Sequence, residues 1–286
     1  LATLYARAAG GAWATVGTWS DTDSSGASSG TVPSSTVDVI FDAGSTGLVT
    51  LGAGTLACKT LTFEGAGNQI EVTSLKNLNV YSHLTLYSGM SITGTGLIIV
   101  RGTTTITSNG VVVPCNMSFF NSSHITLSGD LTLSGSFTAG ISEILGDKLI
   151  LGGGFTGAPT ITGTSGVYLT GGTWDTSSGP TGVQNLFLDG DVLVGVNPYY
   201  GGGTLKYLSG TIDTTTNISM LHISSSCTLD TEGMSWYDIA FEADAVLSLK
   251  SKLSHLNTII NNGYTVGIEG LGGGMSRSRV VNGGGF

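Results

Sequence analysis

Apolar residues in this chain alternate with small polar ones over short runs. Between Leu61 and Val113 the runs Leu61-Thr62-Phe63, Leu78-Asn79-Val80, Leu84-Thr85-Leu86, Met90-Ser91-Ile92 and Thr104-Thr105-Ile106 keep a period of two, with Gly or Ser-Gly between many of them. A period of two is the side-chain repeat of a strand; a helix would repeat every three to four residues. No window in this stretch makes an amphipathic helix. Farther on, Val246, Leu247, Leu249, Leu253, Leu256 and Ile260 partly fit helical spacing, but the intervening serines favour strand over residues 245–260.

A longer repeat lies over the short one. A local form recurs in Lys59-Thr60-Leu61-Thr62-Phe63, Lys76-Asn77-Leu78-Asn79-Val80, Cys115-Asn116-Met117-Ser118-Phe119, Gln184-Asn185-Leu186-Phe187-Leu188 and Tyr237-Asp238-Ile239-Ala240-Phe241, and in four of these five a small or polar residue separates two apolar ones. The first two units start 17 residues apart and the next interval is 39 residues, about twice nineteen or twenty. Spacings of this size suit turns of a β-helix, with insertions between the later units. One turn cannot bury its own apolar face, whereas stacked turns share a continuous core and occupy one another's strand edges. The expected fold is therefore all-β: a parallel β-helix, or β-solenoid, with irregular turns and Gly or Asn at its corners. The run from Ile125 to Gly135 reads as two three-residue strands with Ser-Gly turns, and residues 163–172 resemble it.

The flanks differ from this body, and the expected organisation is a cap and polar loop over 1–48, a solenoid over 49–269 and a Gly-rich arm over 270–286. Trp13 and Trp19 bracket a polar Gly/Thr segment and read as a cap plugging the open end of the stack, with sugar stacking as the alternative role. Ser20 to Ser35 is nearly all Asp, Ser, Gly and Thr, a surface loop expected to move unless a partner covers it. Val37 to Asp42 reads as a strand. Asn197-Pro198-Tyr199-Tyr200 precedes three glycines, and Tyr199 and Tyr200 either pack outside the stack or contact a partner or glycan. The arm carries Arg277 and Arg279 and ends on Phe286, an apolar anchor expected to dock on a neighbouring copy.

Composition narrows the class. The 286 residues include 46 Gly, and only 10% are charged, far below the share usual in a soluble globular domain, which argues against surface helices. Gly without a three-residue period excludes collagen, and 40% hydrophobic residues argue against disorder. A net charge of −9 with ten basic residues and no basic stripe argues against nucleic-acid binding. No apolar run is long enough for a membrane helix. Cys58, Cys115 and Cys227 are odd in number and lack metal spacing, so they read as buried small hydrophobes.

Catalytic signals are sparse. His83, His124, His222 and His255 form no H-E-x-x-H arrangement, and there is no G-x-S-x-G elbow. Gly152-Gly153-Gly154 and Gly201-Gly202-Gly203 lack the Lys-Ser/Thr of a phosphate loop, so no nucleotide or other cofactor is expected. Glycosidase chemistry needs two facing carboxylates, for which Asp189, Asp191, Asp213, Asp230, Glu232, Asp238, Glu242 and Asp244 are formal candidates. Their expected role is instead hydrogen bonding at corners. Sequons at Asn116, Asn121 and Asn217 matter only in a eukaryotic source.

The opening Gly10-Gly11-Ala12-Trp13, Gly17-Thr18-Trp19-Ser20, Val32-Pro33, Asp38-Val39-Ile40-Phe41-Asp42-Ala43 and Ala57-Cys58-Lys59-Thr60-Leu61 with Phe63 resembles a group of bacteriophage structural proteins, parallel β-helix fibres, spikes or virion-surface proteins. Similar openings occur in bacterial adhesin-like surface proteins. The resemblance covers roughly the first 65 residues and is one of texture beyond them. It implies a virion-surface or extracellular location, a homo-oligomer, commonly a trimer, contact with other virion proteins and contact with a host surface glycan; it implies no catalytic residue. The expectation is a non-enzymatic structural component of a phage particle. The alternatives are a glycan- or receptor-binding adhesin and, third, a polysaccharide depolymerase.

Overall fold

The computed structural model describes residues 2–52, 54–120, 124–140, 143–157, 160–164, 166–175, 185–194, 199–200, 203–209, 212–214, 220–223, 226–230, 235–241, 243–249, 255–270 and 279–281. Among them the sole helical element is a single 3₁₀ turn at Val16–Thr18; the rest is strand and turn, stacked as a parallel β-solenoid. Two compact units divide the chain, residues 1–149 and 150–286.

In the first unit the strands of the coil stack in parallel, one turn on the next. Leu56 lies beside Leu78, Leu78 beside Ile98, Ile98 beside Met117 and Met117 beside Phe137. A second column runs Val39, Leu61, Leu84, Ile106 and Leu127, and a third runs Val49, Ile70 and Ile92. Every residue in these columns is buried. Like stacks on like because the period of two points alternate side chains into the coil, and the parallel register sets equivalent residues one strand spacing apart, about 4.8 Å. Fully burying one Leu, Phe or Ile contributes about 1.5–3 kcal/mol, so the columns supply most of the stability.

The register corrects one sequence spacing and explains another. Thr55–Phe63 and Asn77–Thr85 are nine-residue strands that turn a corner, with a register shift between Cys58 and Thr60. Leu61 follows this corner while Leu78 precedes its counterpart, so the 17-residue interval joins different sides of the coil; the true partner of Leu61 is Leu84. The 39-residue interval from Leu78 to Met117 is two turns, with Ile98 between. One turn later the corner is explicit: Leu97–Val100 and Thr103–Thr107 are separate strands, and Gly102 between them has φ +68°.

The N-terminal segment is the first layer of this stack. Thr3–Ala6 pairs in parallel with Asp38–Phe41, which pairs with the strand containing Leu61. Its other edge is taken by Trp19–Ser20, running antiparallel, so the open edge is closed by a two-residue strand. The segment 20–35, expected to move, is tied down: Arg7 Nε donates to the Gly26 carbonyl (2.9 Å), the Ala8 amide to the Ser24 carbonyl (2.9 Å) and the Ser29 amide to the Trp19 carbonyl (2.9 Å). Three hydrogen bonds, to Arg7, Ala8 and Trp19, attach residues 24–29 to the end of the stack.

The second unit repeats the scheme. Val167–Asp175 pairs with Asn185–Val194, which pairs with Gly203–Ser209, followed by Cys227–Asp230, Ala245–Leu249 and Val266–Gly270. Another face stacks Tyr199–Tyr200, Met220–Ile223, Ser235–Phe241, His255–Ile260 and Arg279–Val281. Residues 245–260 thus contribute two strands, as their serines favoured.

Candidate functional site

Corners are where this fold places polar chemistry, because strand interiors commit their backbone to the neighbouring turns. Asn68, fully buried, accepts from the Glu64 and Gly65 amides through Oδ1 (3.2 and 2.8 Å) and donates from Nδ2 to the Asp42 and Ser45 carbonyls (2.7 and 3.0 Å). Carboxylates work the same way across turns. Asp42 accepts from the Ser24 amide (2.9 Å), Asp147 from the Gly129 amide (2.7 Å), Asp130 from the Lys148 amide (3.2 Å) and Asp244 from the Thr265 amide (2.7 Å). Burial pushes the Asp42 carboxyl up, but hydrogen bonds from Ser24, Ser45 and Gly44 outweigh it and hold the group below the usual carboxylate range.

The residues singled out in the sequence fall in different settings. Trp13 and Trp19 are 1% and 0% exposed and meet edge to face at 4.9 Å. Trp19 Nε1 donates to the Trp13 carbonyl (2.7 Å), and its ring continues to Phe41 (6.2 Å) and from there to Phe63 (4.6 Å). Four aromatic rings therefore run from the cap into the core, and a sugar would reach Trp13 or Trp19 only by opening it. Tyr199 and Tyr200 form a short strand beside His222 and Ile223, so they belong to the stack's backbone; their side chains lie outside the described residues. Arg279 lies in a strand beside Thr258, which makes part of the expected arm a layer of one sheet. Arg277 and Phe286 lie outside the described residues.

Among the described residues no two of the formal catalytic candidates are direct register partners, although Asp191 and Asp213 fall on neighbouring strands, two positions apart. Asp189 lies opposite Ser209, Asp191 opposite Gly171, Asp213 opposite Leu193, Asp230 opposite Lys206, and Asp238 between Met220 and Thr258. Glu232 and Glu242 lie outside the described residues. One exposed pair joins neighbouring turns, His124 Nδ1 and Glu143 Oε2 at 2.7 Å. Among the described residues no three His, Cys, Asp or Glu side chains gather as a metal site. Cys58 and Cys115 are buried free thiols; burial pushes Cys58 strongly upward and raises Cys115 to about 12, so neither is poised as a nucleophile.

A group that sequence reading passed over sits at the bend between Asn77–Thr85 and the strands above it. Val80, Val100 and Phe119 are register partners, so the next residues, Tyr81, Arg101 and Phe120, occupy the same corner on three successive turns. The Arg101 guanidinium lies over the Phe120 ring, 3.9 Å from its centroid, and Nε donates to Asn79 Oδ1 at 2.6 Å. The signal was the 20-residue turn itself: the register that aligns Leu78 with Ile98 also aligns Tyr81 with Arg101.

Comparison with known proteins gives no identity: no family model, no curated protein and no solved structure matches this chain.

Proposed function

We propose that this protein is a non-enzymatic structural component of a phage particle, a fibre, spike or surface decoration protein that self-assembles as a homo-oligomer, with a trimer favoured, at the virion surface. The observation that carries the reading is how the described polar side chains are engaged. Asn68 and the carboxylates of Asp42, Asp130, Asp147 and Asp244 bind backbone groups, most of them one turn away, and so brace successive layers of the coil. A stack braced at its corners and filled by continuous apolar columns resists bending and shear, which suits a part that bears load or holds another surface at a distance. The resemblance of the first 65 or so residues to phage fibre and spike proteins supports the same reading.

Immunogold labelling with an antibody against the purified chain, read by electron microscopy on particles from the producing host, tests it. Gold on an outer virion appendage is the expected result. Particles free of the chain by both labelling and mass spectrometry would overturn the reading. A glycan-binding role is the second reading, favoured by the exposed aromatic and cationic corner of Tyr81, Arg101 and Phe120.

A further inference from the structure

The corner containing Arg101 is built more carefully than a solvent-exposed arginine requires. Along Asn77–Thr85, Leu78 and Val80 point into the coil, so the strand period aims Asn79 outward, yet Asn79 is 2% exposed. Its Nδ2 donates to the Leu56 carbonyl (3.1 Å) and its Oδ1 accepts from Arg101 Nε (2.6 Å). A buried amide with both ends engaged cannot rotate, so it fixes the guanidinium from one edge while the Phe120 ring supports its face. Arg101 forms no ion pair with a described carboxylate. The result is a pre-oriented cation whose remaining edge, the pair of terminal amino groups, matches the two oxygens of a carboxylate.

Aromatic rings flank it along the coil axis. Tyr81, one turn below, is 40% exposed, and Phe120, one turn above, is 47% exposed. Lys59 continues the column one turn below Tyr81, with its ammonium 3.4 Å from Asp38. At the strand spacing, Tyr81 to Phe120 spans about 10 Å, longer than a single carboxylate, so the corner suits an extended ligand. That ligand offers flat apolar faces to the rings and a well-spaced negative charge to the arginine. Dense polyanions such as nucleic acid are disfavoured by the net charge of −9 and because, of the corner's cations Lys59 and Arg101, only Arg101 lacks an ion pair with a described carboxylate.

We propose that this corner binds an acidic polysaccharide, a glycan whose sugar rings carry carboxylates, with Arg101 receiving a carboxylate and Tyr81 and Phe120 lying against neighbouring sugar faces. The inference does not rest on the virion assignment, since it needs only the geometry of the first unit.

Titration calorimetry of the full chain with an oligosaccharide in which single uronates are separated by neutral sugars, its methyl ester and a neutral glucan oligomer tests it. Saturable binding of the uronate is expected, at least tenfold weaker for the ester and the glucan, and weakened by salt. Arg101→Lys keeps the charge but loses the fork and should weaken binding about tenfold; Tyr81→Ala, a surface change that leaves melting unchanged, should weaken it about three- to tenfold. Binding of the uronate unchanged in both variants, equal binding of ester and free acid, or no binding at millimolar uronate would each overturn the proposal.

Discussion

Individual residues in this protein are committed to the coil to a degree that their chemistry alone does not suggest. Cys58 and Cys115 show it for thiols: both are 0% exposed, and both have their ionisation suppressed by burial. With Cys227 changed to Ser, the native protein should not react with a chromogenic disulfide reagent at pH 8, and two thiols should appear on denaturation; rapid labelling of the native variant would contradict the placement. The same thiols set a pH dependence. Their folded-state pKa values lie above the ordinary 9.0, so the folded state holds protons that the unfolded chain releases. Their contribution is complete below about pH 9 and falls as pH rises toward 12 and beyond, and urea midpoints measured from pH 8 to 11 should decline at the upper end.

At the scale of elements, stability depends on columns in register. Phe119 and Phe137 pack edge to face at 4.9 Å on neighbouring turns, both fully buried. Phe119→Ala should cost about 3–5 kcal/mol in denaturant unfolding, because neighbouring layers are fixed by their own hydrogen bonds and cannot close the gap. Val112→Ala, at a side chain 52% exposed, should stay within about 0.5 kcal/mol. Equal losses at the two sites would mean that the assigned inward and outward faces are wrong. Corners impose a different demand. Gly94 has φ +90°, and a Cβ there would strike the Val72 carbonyl oxygen of the turn before it, so this position combines left-handed backbone with a close approach of two turns.

For the molecule as a whole, the exposed edges at the ends of a stack are what assembly can use. The N-terminal end is closed within the chain, by the antiparallel Trp19–Ser20 strand and the tryptophan pair. In the second unit Arg279–Val281 lies on His255–Ile260 and is the last described strand of that sheet. In the proposed homo-oligomer the segment after Gly270 joins neighbouring copies. Truncation after Gly270 should then lower the solution mass measured by light scattering, and it also uncovers Ile259, whose strand partner is Val280. An unchanged mass would remove the tail from the assembly.

Much of this was legible in the sequence, and the limit is physical. The period of two fixes which side chains face inward, and scarce charge with abundant Gly argues against surface helices, so the solenoid class follows from composition and pattern. The burial of Trp13, Trp19, Cys58 and Cys115 follows too, since apolar groups in or beside strands have few other places to go, while the side chain of Cys227 lies outside the described residues. Register does not follow. The 17-residue interval between two similar units crosses a corner, and only pairing Leu61 with Leu84 and Leu56 with Leu78 shows where each turn closes. The Arg101 corner was hidden for the same reason. Asn79, Tyr81, Arg101 and Phe120 are unremarkable in a linear chain, and they become one constellation only when turns of about 20 residues lay them on a common edge. Local pattern determines which way a side chain points, whereas stacking decides what it meets.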